Sequence, residues 1–268
     1  MKFGVTLRNM GPQSTAATMR GGAAHAEALG FESVWITDHI AIPPDDAVGS
    51  GGRYTDPLTT LAWLGGATAR IKLGVGVLIL PYRPALPTVK QIATVHELTG
   101  ERLLLGVGAG WMDAEFRALG VDRRRRGKLT DDVLEHMNDA FASHVAERNG
   151  QPFIVAPRPA APPTYVGGRA PHALARALRF GHGWLPMASD PAALARDLEA
   201  FDRLATDSGK KRGPITVMAG IDANDPVKAR ATIDAYAALG IERLVFAQRY
   251  VDLDEYRQRL DALATLVL

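Results

Sequence analysis

Apolar residues are arranged along this chain in two rhythms. Short continuous runs at Ser33–His39, Leu73–Pro81, Leu105–Trp111 and Thr164–Gly168 are rich in Val, Ile and Leu or capped by glycine, and each breaks off abruptly. Between them lie longer stretches in which apolar positions recur at helical spacing. Runs of the first kind read as strands buried on both faces. Their alternation with helices predicts a parallel sheet, whose chemistry belongs at the C-terminal strand ends.

Carried along the chain, the pattern predicts strands at Phe3–Leu7, Ser33–Thr37, Lys72–Leu80, Arg102–Val107, Thr164–Gly167, Gly183–Met187, Pro214–Ala219 and Arg243–Phe246. Helices are predicted from Ser14 or Thr15 to Leu29, from Pro57, and over Leu86–Leu98, Pro171–Phe180, Pro191–Ala205, Pro226–Leu239 and Asp252–Leu266. Thr15 and Ser14 are suitable N-caps and Gly30 a C-cap, while Pro57 suits a first helical position. After the fourth strand the pattern turns irregular: a short helix at Glu115–Gly120, a basic run at Arg123–Arg126 and an amphipathic helix at Thr130–Val145. Pro152 to Pro163 holds five prolines and is expected to cross the surface as an extended connector. Eight strand–helix pairs predict a single (β/α)8 TIM barrel spanning 1–268, with an irregular insertion after strand four; a doubly wound open sheet is the alternative.

The totals fit one such barrel. The chain has 268 residues, close to the roughly 250 typical of the fold. A net charge of +2 gives no electrostatic case for nucleic acid or an anionic membrane. Cysteine is absent, which rules out disulfides and thiolate metal sites and fits a reducing compartment. No apolar run reaches the roughly 18 residues of a membrane span, so a cytoplasmic protein is expected.

Candidate chemistry sits at the strand ends. Asp38 and His39 close the second strand, so both side chains are expected to face the barrel mouth, where a histidine can hydrogen-bond or move a proton. The plainer alternative is that the pair caps the strand and anchors the loop Ile40–Asp56. The other histidines, His25, His96, His136, His144, His172 and His182, fall in or near helices and read as surface or satisfied core groups. Gly74 and Gly76 lie inside a strand, which suggests a bulge, a special dihedral or a ligand against the backbone, or else a tight interior layer. Gly106, Gly108 and Gly110 are weak evidence for phosphate binding. Val166-Gly167-Gly168 followed by Pro171 is stronger, because two glycines lead a strand into a helix start that can present N–H groups to an anion. The run Arg123–Arg126 reads as a solvated face. No His-x-His pair ends a strand, no lysine lies in Gly183–Met187, and no nucleophilic serine elbow occurs; no metal site is expected. Few charged groups and much glycine suit a site that holds a cofactor.

At these residues the chain resembles the bacterial luciferase-like flavin- and deazaflavin-dependent oxidoreductases, along essentially its whole length. The resemblance is carried by Ala28–Phe31 with Ser33–His39, by Arg53–Pro57 and Leu73–Pro81, by Arg102–Trp111 with Glu115–Gly120, and by Val166–Gly168 before Gly181–Trp184. It implies a βα barrel with the isoalloxazine-type ring in its mouth. Asp38 and His39 would lie beside the ring as catalytic residues, and a non-proline cis peptide at Gly76-Val77 would back it. Val166, Gly167 and Gly168 would approach the coenzyme phosphate, while Gly108, Gly110 and Trp111 border the pocket. Because Asp38-His39-Ile40 lacks the doubled histidine common among the monooxygenases, coenzyme F420 is preferred over FMN. Reduced FMN would serve oxygen insertion and the deazaflavin hydride transfer to or from a small organic substrate. Arg8 and Met10 stand where relatives often have proline and an aromatic, so the substrate pocket differs. Expected partners are the coenzyme, a small-molecule substrate, a second copy in a homodimer and, for FMN, a flavin reductase. The competing functions are a catalytically idle flavin-binding protein and a cofactor-free isomerase or lyase acting on a phosphorylated substrate.

Overall fold

The computed structural model describes residues 1–187 and 190–268. In chain order the elements are β1 (Lys2–Thr6), α1 (Ala16–Leu29), β2 (Ser33–Ile36), α2 (Pro57–Ala67), β3 (Lys72–Ile79), α3 (Ala85–Leu98), β4 (Leu103–Gly108), α4 (Asp113–Ala118), α5 (Arg126–Ala142), β5 (Val145–Arg148), β6 (Gln151–Ile154) and β7 (Thr164–Gly168). They continue as α6 (His172–Phe180), β8 (Gly183–Pro186), α7 (Pro191–Asp207), β9 (Thr216–Ala219), α8 (Pro226–Ala238), β10 (Arg243–Phe246) and α9 (Leu253–Val267). Eight of these strands form one sheet in the order β8-β7-β4-β3-β2-β1-β10-β9. All its pairings are parallel, and a parallel bridge between Trp184 and Ile215 links its two outer strands. The result is a nearly closed barrel ringed by helices, not an open sheet.

Local chemistry fixes the helix ends. Thr15, Asp56, Asp190, Asp225 and Asp252 each accept a first-turn backbone N–H through the side chain, a cap typically worth about 1 kcal/mol. Gly30 closes α1 in the left-handed region at φ 97°, donating to the carbonyls of Ala26 and Glu27. Apolar side chains of the strands then pack outward against the helices in one continuous cluster.

The insertion departs from expectation. The helix begins at Arg126 and ends at Ala142, and an antiparallel hairpin of β5 and β6 follows where a helix end and a connector were predicted. Its turn is Asn149-Gly150, with φ of 53° and 75°. Positive φ at both residues is the requirement of the tight hairpin turn that Asn-Gly favours, a signal overshadowed by the prolines around it. The extended connector is confined to the segment before Thr164.

Inside the barrel Trp35, Leu104, Tyr165, Leu185 and Val245 form a second cluster, joined by Val77 and Met218. The strand glycines make room for it. A Cβ on Gly74 would enter the Trp35 ring, and one on Gly76 would meet the terminal methyl of Met218. Below this layer, at the N-terminal strand ends, Arg243 is 1% exposed and holds Glu32 at 2.7 and 2.9 Å. It also donates to Tyr165 Oη at 2.8 Å, and Tyr165 donates to Glu242 at 3.0 Å. These paired charges plug the barrel floor, leaving the opposite end for ligands.

Candidate active site

The mouth is organised by Asn9, which is buried just beyond β1. Its amide nitrogen donates to the carbonyls of Thr37 and Thr55, and its amide oxygen accepts from the Thr37 N–H. Both the exit of β2 and the returning loop are thereby held in place, and Asp38 and His39 follow directly.

The two diverge at once. Asp38 does not face the mouth: its side chain is fully buried, accepting from Arg83 Nη1 at 2.6 Å, Arg83 Nη2 at 2.9 Å and the Ile79 N–H at 2.8 Å. The reason is geometric. Successive side chains of an extended segment point to opposite sides, so neighbouring residues at a strand end cannot both enter the mouth. Asp38 instead anchors the chain leaving β3. Arg83 bridges on to Asp56 at 3.2 Å, and the two carboxylates raise its pKa against the effect of burial.

His39 is the accessible member of the pair. Its Nδ1 lies 2.8 Å from Glu115 Oε2, and its ring stands between Tyr54, 4.9 Å away, and Trp111, 6.3 Å away and nearly perpendicular. Glu115 comes from α4, and its fully buried side chain is saturated with donors. Oε1 accepts the N–H groups of Ile40 at 2.6 Å and Ala41 at 3.0 Å, and Oε2 accepts Tyr82 Oη at 2.9 Å as well as His39. Burial pushes the Glu115 carboxyl up, but these donors together outweigh it and hold the pKa below the usual value. A carboxylate can only accept, so the proton of the shared bond sits on His39 Nδ1 and Nε2 is left to act. The partner carboxylate of His39 is thus Glu115, 76 positions away, and not its neighbour Asp38. Nothing in the spacing of the sequence points to that pairing.

Beside β2, the ladder of β3 with β4 shifts register between Val75 and Leu78, and the Gly76-Val77 peptide within the shift is cis. Val77 consequently turns into the barrel. A Cβ on Gly108 or Gly167 would stand 2.5 or 2.6 Å from its γ-methyl groups, so those two glycines accommodate Val77. Gly110 has φ 76° and lies against Ile79 and Phe116. Trp111 is 63% exposed at the rim. Val166 packs outward in the helix-facing core and can offer only its backbone to the mouth.

Gly168 adopts φ 132°, and its carbonyl accepts Trp184 Nε1 at 3.0 Å. With Arg169, Ala170, Trp184, Met187 and Asp197 it lines a cavity of about 350 Å³ at the ends of β7 and β8. A Cβ at Gly168 would meet only Ala173 at 3.4 Å, so its outer face is open. Arg8 at the exit of β1 has a buried Nε without a hydrogen-bond partner. The open backbone at Gly168 and the Arg169 guanidinium fit the phosphate of an anionic coenzyme. Of the run Arg123–Arg126, Arg124 and Arg125 are exposed, whereas Arg123 and Arg126 are half-buried.

Residues 1–264 match the model of a family described as luciferase-like monooxygenase. An uncharacterized protein of Mycobacterium tuberculosis is 32% identical over 206 residues, covering 70% of this chain and 71% of the relative. The F420-dependent hydroxymycolic acid dehydrogenase of the same organism is 29% identical over 225 residues, 78% of this chain and 60% of that protein. The solved structure of the oxygenating constituent of 3,6-diketocamphane monooxygenase from Pseudomonas putida, in complex with FMN, superposes with a TM-score of 0.78 at 15% identity, covering 100% of this chain and 98% of that one. That last likeness is one of fold.

Proposed function

Because the chain belongs to the luciferase-like monooxygenase family, we propose that it is an oxidoreductase whose flavin-type coenzyme lies across the barrel mouth, with His39 as the residue that handles protons beside it. The observation that carries this reading is the Glu115–His39 pair: a saturated buried carboxylate fixes one imidazole nitrogen and leaves the other accessible. The strand register supports the placement. Ile36 of β2 is opposite Val75 of β3, so His39 and the Gly76-Val77 shift leave neighbouring strands at about the same height.

When bound, the coenzyme would supply hydride exchange or, in the FMN form, activation of oxygen. The chain's own residues do the rest. Gly167, Gly168 and Arg169 would hold the phosphate, and the Gly76-Val77 segment would support the ring from below. Gly108, Gly110 and Trp111 would border it, while Tyr54 and Trp111 limit water around His39. Asp38 serves through Arg83, as a positioning residue. His39 Nε2 can then take or give a proton at the substrate or ring, with Glu115 stabilising the charged imidazolium. The proposal covers one domain over 1–268, a cytoplasmic homodimer and, for FMN, a separate reductase.

Coenzyme F420 is our preferred partner, on the ground of Asp38-His39-Ile40 and of a relative named for F420 dependence. Parallel fluorescence titrations with F420 and FMN test the choice. Tighter binding of F420 is the expected result, tighter FMN binding would reverse the preference, and binding of neither would return the site to a cofactor-free reaction on a phosphorylated substrate.

A further inference from the structure

Arg8 leaves β1 on the inner side of the barrel. Val5 and Leu7 belong to the helix-facing core, so Gly4, Thr6 and Arg8 point inward by the alternation of an extended chain. A Cβ on Gly4 would meet Ser33 and the Trp35 indole, which confirms that face. Thr6 is opposite Trp35 in the ladder with β2, which sets Arg8 level with Thr37, just below His39 on the neighbouring strand.

The backbone N–H of Arg8 donates to Tyr250 Oη at 2.8 Å. Its guanidinium has neither an ion pair nor a hydrogen bond among the described residues. Nε is shut off from solvent, but Nη1 and Nη2 are not enclosed, so a group in the mouth can reach them. Arg83, Arg102, Arg148 and Arg176, also half-buried, are each bound by carboxylates or backbone carbonyls. Arginine is seldom withdrawn from water unpaired. The carboxylates of the mouth are already taken, Asp38 by Arg83 and Glu115 by its four donors. Tyr54 links Arg8 to the reacting side: its ring lies 4.9 Å from His39. Burial and Glu115 push the Tyr54 pKa up while Arg8 pulls it down, so both charges act on one phenol. On the other side, the β1–β10 register brings Arg249 level with Arg8, exposed and without an ion pair.

We propose that the substrate of this site carries a carboxylate, which Arg8 receives on its terminal nitrogens while the reacting carbon lies toward His39. The part given to His39 rests on the oxidoreductase reading; the anion site itself needs no coenzyme. A guanidinium matches a carboxylate in planarity and donor spacing. The coenzyme phosphate has its own donors at Gly168 and Arg169, after β7, which stands four strands from β1 and so directly across the barrel.

The test titrates benzoate, and benzamide as its neutral counterpart, into the coenzyme-free full chain, followed by NMR. Benzoate is expected to bind at least about tenfold more tightly than benzamide and to move the ring ¹⁵N resonances of His39. Arg8→Gln should weaken benzoate by about 10- to 100-fold, the worth of a charge-assisted hydrogen bond, and leave benzamide unchanged. Its urea midpoint should not fall, since the guanidinium holds nothing within the protein, and Arg8→Lys should restore part of the benzoate affinity. Equal binding of the two probes, benzoate binding that Arg8→Gln leaves intact or Arg169→Gln removes, or a lowered urea midpoint in Arg8→Gln would each overturn the proposal. Failure of the coenzyme reading looks different: neither F420 nor FMN would bind, while benzoate still would.

Discussion

Glu115→Gln isolates what a charge contributes to the site while leaving its shape unchanged. The two backbone donors, Ile40 and Ala41, both point at Oε1, so the amide oxygen must take that place and the NH2 group must take that of Oε2. At Oε1 two charge-assisted bonds then become ordinary ones, and the two at Oε2 persist only with donor and acceptor exchanged. With roughly 1.5–3 kcal/mol for the former and 0.5–1.5 for the latter, the loss is about 2 kcal/mol. Tyr82 can rotate its hydroxyl to accept instead. His39 has no such freedom: facing a donor, Nδ1 must surrender its proton, and the hydrogen moves to Nε2. The variant should therefore lose about 2 kcal/mol in urea unfolding and invert the His39 tautomer, read from the ¹⁵N shifts of the two ring nitrogens. It should also flatten the acid limb of stability. A carboxyl whose folded pKa lies below its unfolded one stabilises above the unfolded value, near 4.5, and that contribution disappears as pH falls through the folded value. An unchanged tautomer, or stability within 0.5 kcal/mol of the parent, would refute the assignment of Glu115 as the group that orients His39.

Four shorter predictions follow from the same geometry. His39→Ala should slow substrate-dependent coenzyme reoxidation about 100-fold while coenzyme binding, followed by fluorescence, changes little. Arg83→Met strands the buried Asp38 carboxylate with the Ile79 N–H, so unfolding by urea should show a loss of about 3–5 kcal/mol. Gly168→Ala should leave the circular dichroism of the barrel intact yet weaken coenzyme binding, because φ 132° strains any side chain by about 1–3 kcal/mol. Burial depresses the His182 pKa from 6.5 to about 4; stability should therefore fall as pH drops from 6.5 toward 4, by up to about 3 kcal/mol, and His182→Gln should lack most of that slope.

Much of the architecture was legible in the chain because barrel strands are continuous apolar runs and the caps are local. The Gly76-Val77 distortion was announced by glycines inside a strand and by the family resemblance. Both interpretations of those glycines have a share in the outcome: Gly74 serves the interior layer beneath Trp35, while Gly76 sits at the register shift. What stayed hidden was set by distance in sequence. Glu115 lay within a recognised segment but showed no link to His39, and Arg83 none to Asp38, since both pairings exist only once β2, β3 and α4 converge. The reading that both Asp38 and His39 face the mouth failed on the simplest alternation of an extended chain.

The way the barrel is sewn shut has a consequence for how it breathes. β1 and β10 share four residue pairs, Lys2–Arg243 through Val5–Phe246, so the two ends of the chain meet in a full ladder, reinforced by Lys2 and Glu242 at 2.6 Å. The opposite join, between β8 and β9, has the single bridge Trp184–Ile215 among the described residues. Hydrogen exchange should accordingly be slow near the termini and fast along β8 and β9, the reverse of ordinary end-fraying. The molecule would open between β8 and β9, away from the chain's ends, along the flank that also carries the Gly168–Trp184 cavity.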